Sequence, residues 1–475
     1  MFFQPSTREH PPQLQISERK LLLAIGDVGA CFVAIVIALR IWASVARYPF
    51  TMEFILAQWG WFLFLPTLWV ILARANDFYD LRIAANRNHT LQHLLMVTAQ
   101  LILVYLVVFF VSSRDALPRL FIIYYAIASF LLVGIWRFAR PVLLGWVNHP
   151  RRTLVVGSDW AAETIITLIQ SVASEDYEVR GIIDRNATVG VTVANIPVIG
   201  SGDDLMNFVM RDSIREIIVT NTNNLSGTTF QAVMDAYEHG VQIVPMPILY
   251  ERITGRTPVE FVNDDWAVVF LPIKNNDEIF DPYPLIKRAM DIALGLVGFL
   301  VFAITFPILY LIIRLDSQGD TFYSQDRTGK NGKVFRIIKY RSMVSDAESG
   351  TGAVFSQAGD PRVTRVGRFM RKTRLDELPQ VINVLKGEMS VVGPRPERPE
   401  HIQRLTKKIP FYRTRMIVKP GLTGWAQVRY GYGANDDDAL VKLQYDLYYI
   451  RHQSLLLDIN IILRTVGKVL SMSGV

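Results

Sequence analysis

Apolar residues gather in four runs in the first third of the chain, roughly residues 21–42, 54–73, 94–112 and 118–136. Each is near the about 20 residues that a helix needs to cross the hydrocarbon core of a bilayer. The runs predict a four-helix membrane bundle over residues 1–145. Arg19 and Lys20 precede the first run, Arg74, Arg82 and Arg87 separate the second and third, and Arg137, Arg140, Arg151 and Arg152 follow the fourth. By the positive-inside rule both ends of the bundle are then cytoplasmic. Arg40, Arg47, Arg114 and Arg119 fall on the other side and count against that orientation. The first run is too long for a signal-peptide core and has no small-residue cleavage site, so it reads as an uncleaved anchor.

From residue 151 the pattern shortens. "RTLVVGS", "YEVRGIID", "IPVIGS", "REIIVTN" and "VQIVPMP" alternate with amphipathic stretches such as "AETIITLIQSV". That alternation predicts βαβ units around a parallel sheet, a Rossmann-like α/β domain over residues 150–255. The turn "VVGSDWAAE" stands where a dinucleotide fold carries G-x-G-x-x-G and keeps only Gly157, so the domain reads as an assembly or regulatory module before a nucleotide site. Residues 256–283 read as a linker. A fifth apolar run follows at 285–317, with Lys287 and Arg288 at its start, Arg314 at its end, and Arg327, Lys330 and Lys333 beyond it. Basic residues at both ends disfavour a crossing, and Pro307 removes a backbone donor near the middle. The run is expected to enter the membrane and return to the same face; a kinked spanning helix is the alternative.

Beyond residue 320 the chain is soluble in composition and densely basic, with "IIKYRSM" and "DPRVTRVGRFMRKTRLDE" holding Lys339, Arg341, Arg371 and Arg374. The stretch "RLDELPQVINVLKGEMSVVGPRPE" then sets Asp376 and Glu377 side by side and closes on Pro394-Arg395-Pro396. Leu375, Leu378, Ile382 and Leu385 share a helical spacing, and Pro379 is tolerable only in a first turn, which places a helix start near Asp376. Asp376 is then either an ordinary N-cap or a carboxylate held beside a phosphate at the positive end of a helix. Adjacent helical residues point apart, so the two carboxylates should have separate roles. Cations gathered around a carboxylate pair suit a phosphorylated substrate, because they neutralise the phosphoryl oxygens.

Composition narrows the field. With 51% hydrophobic and 20% charged residues the chain is greasier than a soluble protein, and its formal charge is +7. Cys31 is its single cysteine, which excludes disulfides and a thiolate metal cluster. No P-loop, zinc spacing, Ser/His/Asp motif or aromatic-interleaved basic code appears, and the seven histidines are scattered. Nucleic-acid binding and hydrolysis are both disfavoured.

Residues 284–475, with "KRAMDIALGLVGFLVFAITFPILYLIIRLDS", "YSQDRTGKNGKVFRIIKYRSM", the stretch from Asp360 to Glu397, "KPGLTGWAQV" and "YDLYYI", resemble the bacterial sugar transferase family. These are the polyprenyl-phosphate hexose-1-phosphate transferases that start exopolysaccharide, capsule and O-antigen synthesis. The bundle and α/β domain are similar to the extension of its large members, those similar to undecaprenyl-phosphate glucose or galactose phosphotransferases. The resemblance implies a mainly α-helical catalytic domain with a re-entrant helix, in an inner-membrane protein whose site faces the cytoplasm. It implies transfer of hexose-1-phosphate from a UDP-sugar, glucose or galactose, to undecaprenyl phosphate, with release of UMP through a phosphosugar on an aspartate. Asp376 and Glu377 would be catalytic and hold Mg2+, while Lys339, Arg341, Arg371, Pro394, Arg395 and Pro396 would bind substrate. Pro307 would make the membrane kink, although Phe306 stands where small members often have serine. The bundle and the α/β domain offer surfaces for a homodimer. Rival readings are a membrane-anchored glycosyltransferase that releases UDP, and a non-catalytic assembly anchor. The final stretches "LVKLQYDLYYI" and "LLLDINIILRTVGKVL" read as interfacial helices or as core.

Overall fold

A computed structural model describes residues 16–76, 78–79, 83–84, 87–111, 121–143, 150–174, 176–221, 227–261, 281–344, 347, 360–431 and 435–470. It divides into two compact units, Met1–Val147 and Asn148–Val475. The first consists of the helices Ile16–Ala46, Met52–Ala57, Trp59–Ala75, Arg87–Val111 and Phe121–Leu143. Three of them are long and apolar enough to cross a membrane, over Leu21–Ala46, Arg87–Leu106 and Phe121–Ala139. The second apolar run departs from expectation: it is two helices, because the chain breaks at Gln58, whose N–H closes on the carbonyls of Ile55 and Leu56. Inside the unit Arg137 forks onto Asp27, with Nε 3.0 Å from Oδ1, and donates through Nη1 to the Phe78 carbonyl at 3.0 Å. Both side chains are buried, and a charge in such surroundings is tolerable only when paired in this way. Of the arginines read as setting the orientation, Arg82, Arg114 and Arg119 lie outside the described residues.

The second unit begins with a six-stranded sheet: β1 (Arg151–Val156), β2 (Tyr177–Ile183), β3 (Thr192–Val193), β4 (Ile196–Gly200), β5 (Glu216–Val219) and β6 (Gln242–Pro245). Their order is β3-β4-β2-β1-β5-β6, and every pairing is parallel except β3 with β4. Successive side chains of a strand face opposite ways. Val155 therefore packs with Ile165, Ile169 and Leu249 on one face, while Leu154 and Val156 pack with Leu205, Val209 and Val233 on the other. Burial on both faces is why these strands read as nearly continuous apolar runs.

Most of the expected linker, 262–280, lies outside the described residues, and before it Val259 is already packed against Ile402, Leu405, Tyr412 and Leu443. The apolar run forms one helix, Tyr283–Asp316, of 34 residues, continuous through Pro307. At about 1.5 Å per residue it exceeds the roughly 30 Å of a hydrocarbon core. A hairpin of β7 (Phe322–Thr328) and β8 (Val334–Tyr340) follows, then helix Arg365–Thr373, a 3₁₀ turn Leu375–Gln380 and helix Val381–Lys386. β9 (Ser390–Val392) pairs in parallel with β10 (Gly421–Thr423). Helix Asp436–Arg451 buries Leu443, Tyr449 and Ile450, so its apolar face is core. Helix Leu455–Leu470 leaves Leu456 and Val466 exposed.

Candidate active site

Thr364 starts helix Arg365–Thr373 by accepting the Gly367 N–H at 3.0 Å, while its own N–H donates to the Ser342 carbonyl at 3.1 Å. The helix lies so close to that peptide that a Cβ on Gly367 would stand 2.0 Å from the Ser342 oxygen. Arg374 ends the helix in the left-handed conformation, at φ 61°, and turns the chain into the 3₁₀ segment. Here the sequence reading is corrected. Asp376 is not the N-cap of a helix; it lies within a 3₁₀ turn that also contains Pro379, and the α-helix starts only at Val381. The left-handed residue that separates the two segments is an arginine rather than the glycine usual there, so the sequence carries no sign of the break.

This turn brings both carboxylates under cover, Asp376 and Glu377 each being 8% exposed. Their surroundings differ. Glu377 Oε1 meets Lys339 Nζ at 2.9 Å and Arg395 Nη2 at 2.7 Å, and Oε2 is 3.9 Å from Arg374 Nη1. Asp376 makes no hydrogen bond or ion pair among the described residues. Burial and then the charge of Glu377 push its carboxyl up to about 6, against the pull of Lys339, Arg371 and Arg395. Burial acts on Glu377 in the same direction, but Arg395, Lys339 and Arg374 outweigh it and hold Glu377 well below the usual carboxylate range. One carboxylate is thus locked as an anion while its neighbour is free to react.

Lys339 is aimed by β8, and β8 is fixed by Asn383. The Asn383 amide donates to the Arg336 carbonyl at 2.8 Å and accepts the Ile338 N–H at 3.3 Å, replacing a neighbouring strand. Arg371 donates to Ser342 Oγ at 3.0 Å and adds its field to Asp376. Arg341 is placed elsewhere: its guanidinium donates to the carbonyls of Ser317 and Gln318, both at 2.7 Å, and closes the end of the long helix. Pro307 lies inside that helix, and Phe306 stacks on Phe322 with centroids 5.6 Å apart. Each carbonyl of the Pro394–Glu397 turn is tied down, by Gly421 N–H at 2.9 Å, Arg415 at 3.1 Å, Arg327 at 3.3 Å and Thr328 N–H at 2.9 Å. A shallow crevice beside the turn is lined by Thr328, Gly329, Ile402, Met416 and Val418. Sequence reasoning counted Arg374 only among the basic residues before the pair and Arg327 only as a flank of the fifth apolar run, and it assigned no role to Asn383 or Arg415, whose spacing in the chain carries no signal.

No group of three or more His, Cys, Asp or Glu placed to hold a metal ion occurs among the described residues. The hard oxygens of Asp376 and Glu377 still suit Mg2+, which commonly takes one or two carboxylates and completes its shell with substrate phosphates and water. In the α/β domain, Asp159 accepts the Ala162 N–H at 3.1 Å at the head of its helix, and Ser158 donates to Asp184. The turn after β1 therefore presents the Asp159 carboxylate at the head of that helix, where a dinucleotide fold holds its diphosphate and where an anion is disfavoured beside it, while Asp184 follows β2.

The family model described as bacterial sugar transferase matches residues 282–472, and one described as CoA-binding domain matches residues 74–247. A UDP-N-acetylgalactosamine-undecaprenyl-phosphate N-acetylgalactosaminephosphotransferase of Aeromonas hydrophila is 42% identical over 224 residues, 47% of this chain and 51% of that protein, so the match spans about half of each. A UDP-glucose:undecaprenyl-phosphate glucose-1-phosphate transferase of Xanthomonas campestris pv. campestris is 29% identical over 354 residues, 70% of both chains. A Bacillus subtilis protein, provisionally named undecaprenyl-phosphate N-acetylgalactosaminyl 1-phosphate transferase, is 48% identical over 134 residues, 28% of this chain and 74% of its own length.

Proposed function

We propose, from the premise that this chain belongs to the bacterial sugar transferase family, that it moves a hexose-1-phosphate from a UDP-sugar to undecaprenyl phosphate and releases UMP. The observation that carries this reading is the asymmetry of the carboxylate pair: Asp376 is buried and, among the described residues, unpaired, beside a Glu377 held by Lys339, Arg395 and Arg374. An Oδ of Asp376 attacks the sugar-bearing phosphorus, forming an oxygen–phosphorus bond as the bond to the bridging oxygen breaks and UMP leaves with that oxygen. An oxygen of the lipid phosphate then attacks the same phosphorus, making the new diphosphate and returning the carboxylate. Lys339, Arg371 and Arg395 bring positive charge to the phosphoryl oxygens where negative charge gathers. Mg2+, held at Asp376 and Glu377, would draw charge off the diphosphate. The crevice beside Pro394-Arg395-Pro396 takes the nucleotide, with Arg395 between it and Glu377.

The long helix does not cross the membrane in this reading. Near its start Lys287 pairs with Asp458 at 2.9 Å and Arg288 donates to the Val384 and Leu385 carbonyls; just past its end Arg341 holds Ser317 and Gln318. Both ends are thus tied to the same folded body, while Leu296, Leu300, Ile304, Ile308 and Leu311 stay exposed on the helix. That arrangement suits a helix dipping into one leaflet with the site at the cytoplasmic face. The relatives act, by their names, on glucose or N-acetylgalactosamine, so the sugar is an open choice among hexoses and their N-acetyl forms.

The test is nucleotide release from solubilised protein given undecaprenyl phosphate, Mg2+ and UDP-glucose, UDP-galactose or their N-acetyl counterparts. The reading expects UMP, dependent on lipid acceptor and absent from Asp376→Asn. Release of UDP would make the protein a glycosyltransferase instead.

A further inference from the structure

Of the four ties on the Pro394–Glu397 turn, two are arginines held by further partners: Arg327 donates to Gln325 Oε1 at 2.7 Å, and Arg415 is anchored in a buried ion pair. Its Nη2 lies 3.1 Å from the Arg395 carbonyl and 2.8 Å from Asp446 Oδ2, and its Nη1 donates to Tyr412 Oη at 2.7 Å. Arg415 is 6% exposed and Asp446 is 1% exposed. A buried ion pair is a poor source of stability, since apolar residues of the same volume often serve as well. This pair has a direction, however. Arg415 also lies 3.8 Å from Glu397 of the same turn, and it donates to the carbonyl of the residue whose own side chain reaches Glu377 at 2.7 Å.

We propose that Arg415 and Asp446 are positioning residues for Arg395, the buried pair fixing the Arg395 peptide so that its guanidinium arrives at Glu377 already placed. The proposal rests on reading Asp376 and Glu377 as the transfer site. Asp446 lines no part of the crevice, whereas Arg415 borders it, and a direct nucleotide contact by Arg415 would persist in an Arg395→Ala background. Asp446 comes from helix Asp436–Arg451 and Arg415 from the 3₁₀ turn Tyr412–Ile417, so the pair joins two elements outside the Asp376 turn to the Pro-Arg-Pro turn. A guanidinium is needed because its rigid fork serves acceptors in different directions, which a lysine ammonium cannot do in the same geometry.

The experiment uses full-length protein. Arg415→Lys and Asp446→Asn are compared with the paired replacement Arg415→Met plus Asp446→Leu, which removes both charges and keeps the core filled. Thermal unfolding and kcat/KM are measured with whichever of the four UDP-sugars the wild type accepts. The paired variant is expected to unfold as high as the wild type yet lose about 10- to 100-fold in kcat/KM, the scale of a small misplacement at a reacting centre. In an Arg395→Ala background the same replacement should cost less than about 2-fold, because the residue being positioned is gone. Full activity in the paired variant, or an equal loss in both backgrounds, overturns the proposal. A second readout needs no turnover: phenylglyoxal modification of Arg395, followed by peptide mass spectrometry, should quicken in the paired variant. An unchanged rate sinks the positioning role even where transfer is seen, and a quickened rate supports it even if no UDP-sugar is turned over and the transfer reading fails.

Discussion

At the residue scale the site is made by unequal treatment of two like groups. Asp376 is left without a partner among the described residues, and burial raises its carboxyl to about 6. If its anion is the attacking group, the rate of UMP release should fall on acidification, at a pH that Mg2+ held beside Asp376 displaces downward, in an initial-rate profile at saturating UDP-sugar. Stability should move the other way. Between the ordinary carboxylate value of 3.8 and about 6 the folded state holds the Asp376 proton and the unfolded state has lost it, so stability declines as pH rises across that window. Asp376→Asn, which cannot ionise, should therefore raise the thermal midpoint near pH 7.5, with the gain disappearing by about pH 4. No gain at pH 7.5 would mean that the carboxylate is solvated and not strained. Adjacency made the pair legible in the sequence, and so did the surplus of cations. Which cation meets which carboxylate was not legible, because it follows from the left-handed turn at Arg374, where nothing in the residue type announces such a backbone.

At the element scale the pair is positioned by close backbone contact and by borrowed strand pairing. Gly367→Ala would press a methyl onto the Ser342 oxygen, 2.0 Å from the new Cβ. The helix must then withdraw, at a cost of about 1–3 kcal/mol, seen as a lower denaturation midpoint together with reduced transfer. Asn383→Leu keeps most of the volume but removes both bonds to β8 and leaves the Ile338 N–H and Arg336 carbonyl without that partner. A loss of about 1–3 kcal/mol is expected, with Lys339 released from its aim at Glu377; an unchanged KM for UDP-sugar would separate strand register from substrate binding. The alternating sheet strands and the long helices were readable from periodicity. The break at Gln58 was not, since both flanks are equally apolar, and neither was the 3₁₀ turn, because Leu375, Leu378, Ile382 and Leu385 have the same spacing in one helix or in two consecutive turns.

At the scale of the whole molecule, the α/β domain is joined to the helical region by buried polar contacts rather than by a loose tether. Glu251, 5% exposed, accepts from Thr257 Oγ1 at 2.7 Å and meets Arg451 at 3.1 Å and His452 at 3.2 Å. Trp425 donates to the Gly255 carbonyl at 3.0 Å, and Gln444 donates to both oxygens of Glu260 at 2.8 Å. Gln444 is on the helix that carries Asp446, two residues away, so the contact with the α/β domain steadies the element that braces the Pro-Arg-Pro turn. The sequence reading placed a linker at 256–283; the role of its first residues as a joint depends on partners some 180 residues later, which no local pattern can show. Glu251→Ala removes one acceptor from three donors at once. The α/β domain and the helical region should then cease to melt together, giving two thermal transitions in place of one, and transfer should weaken although the substitution is remote from Asp376. A single transition at the wild-type temperature would mean that the joint contributes nothing to cooperativity, and the α/β domain would then stand as an independent module carried beside the site.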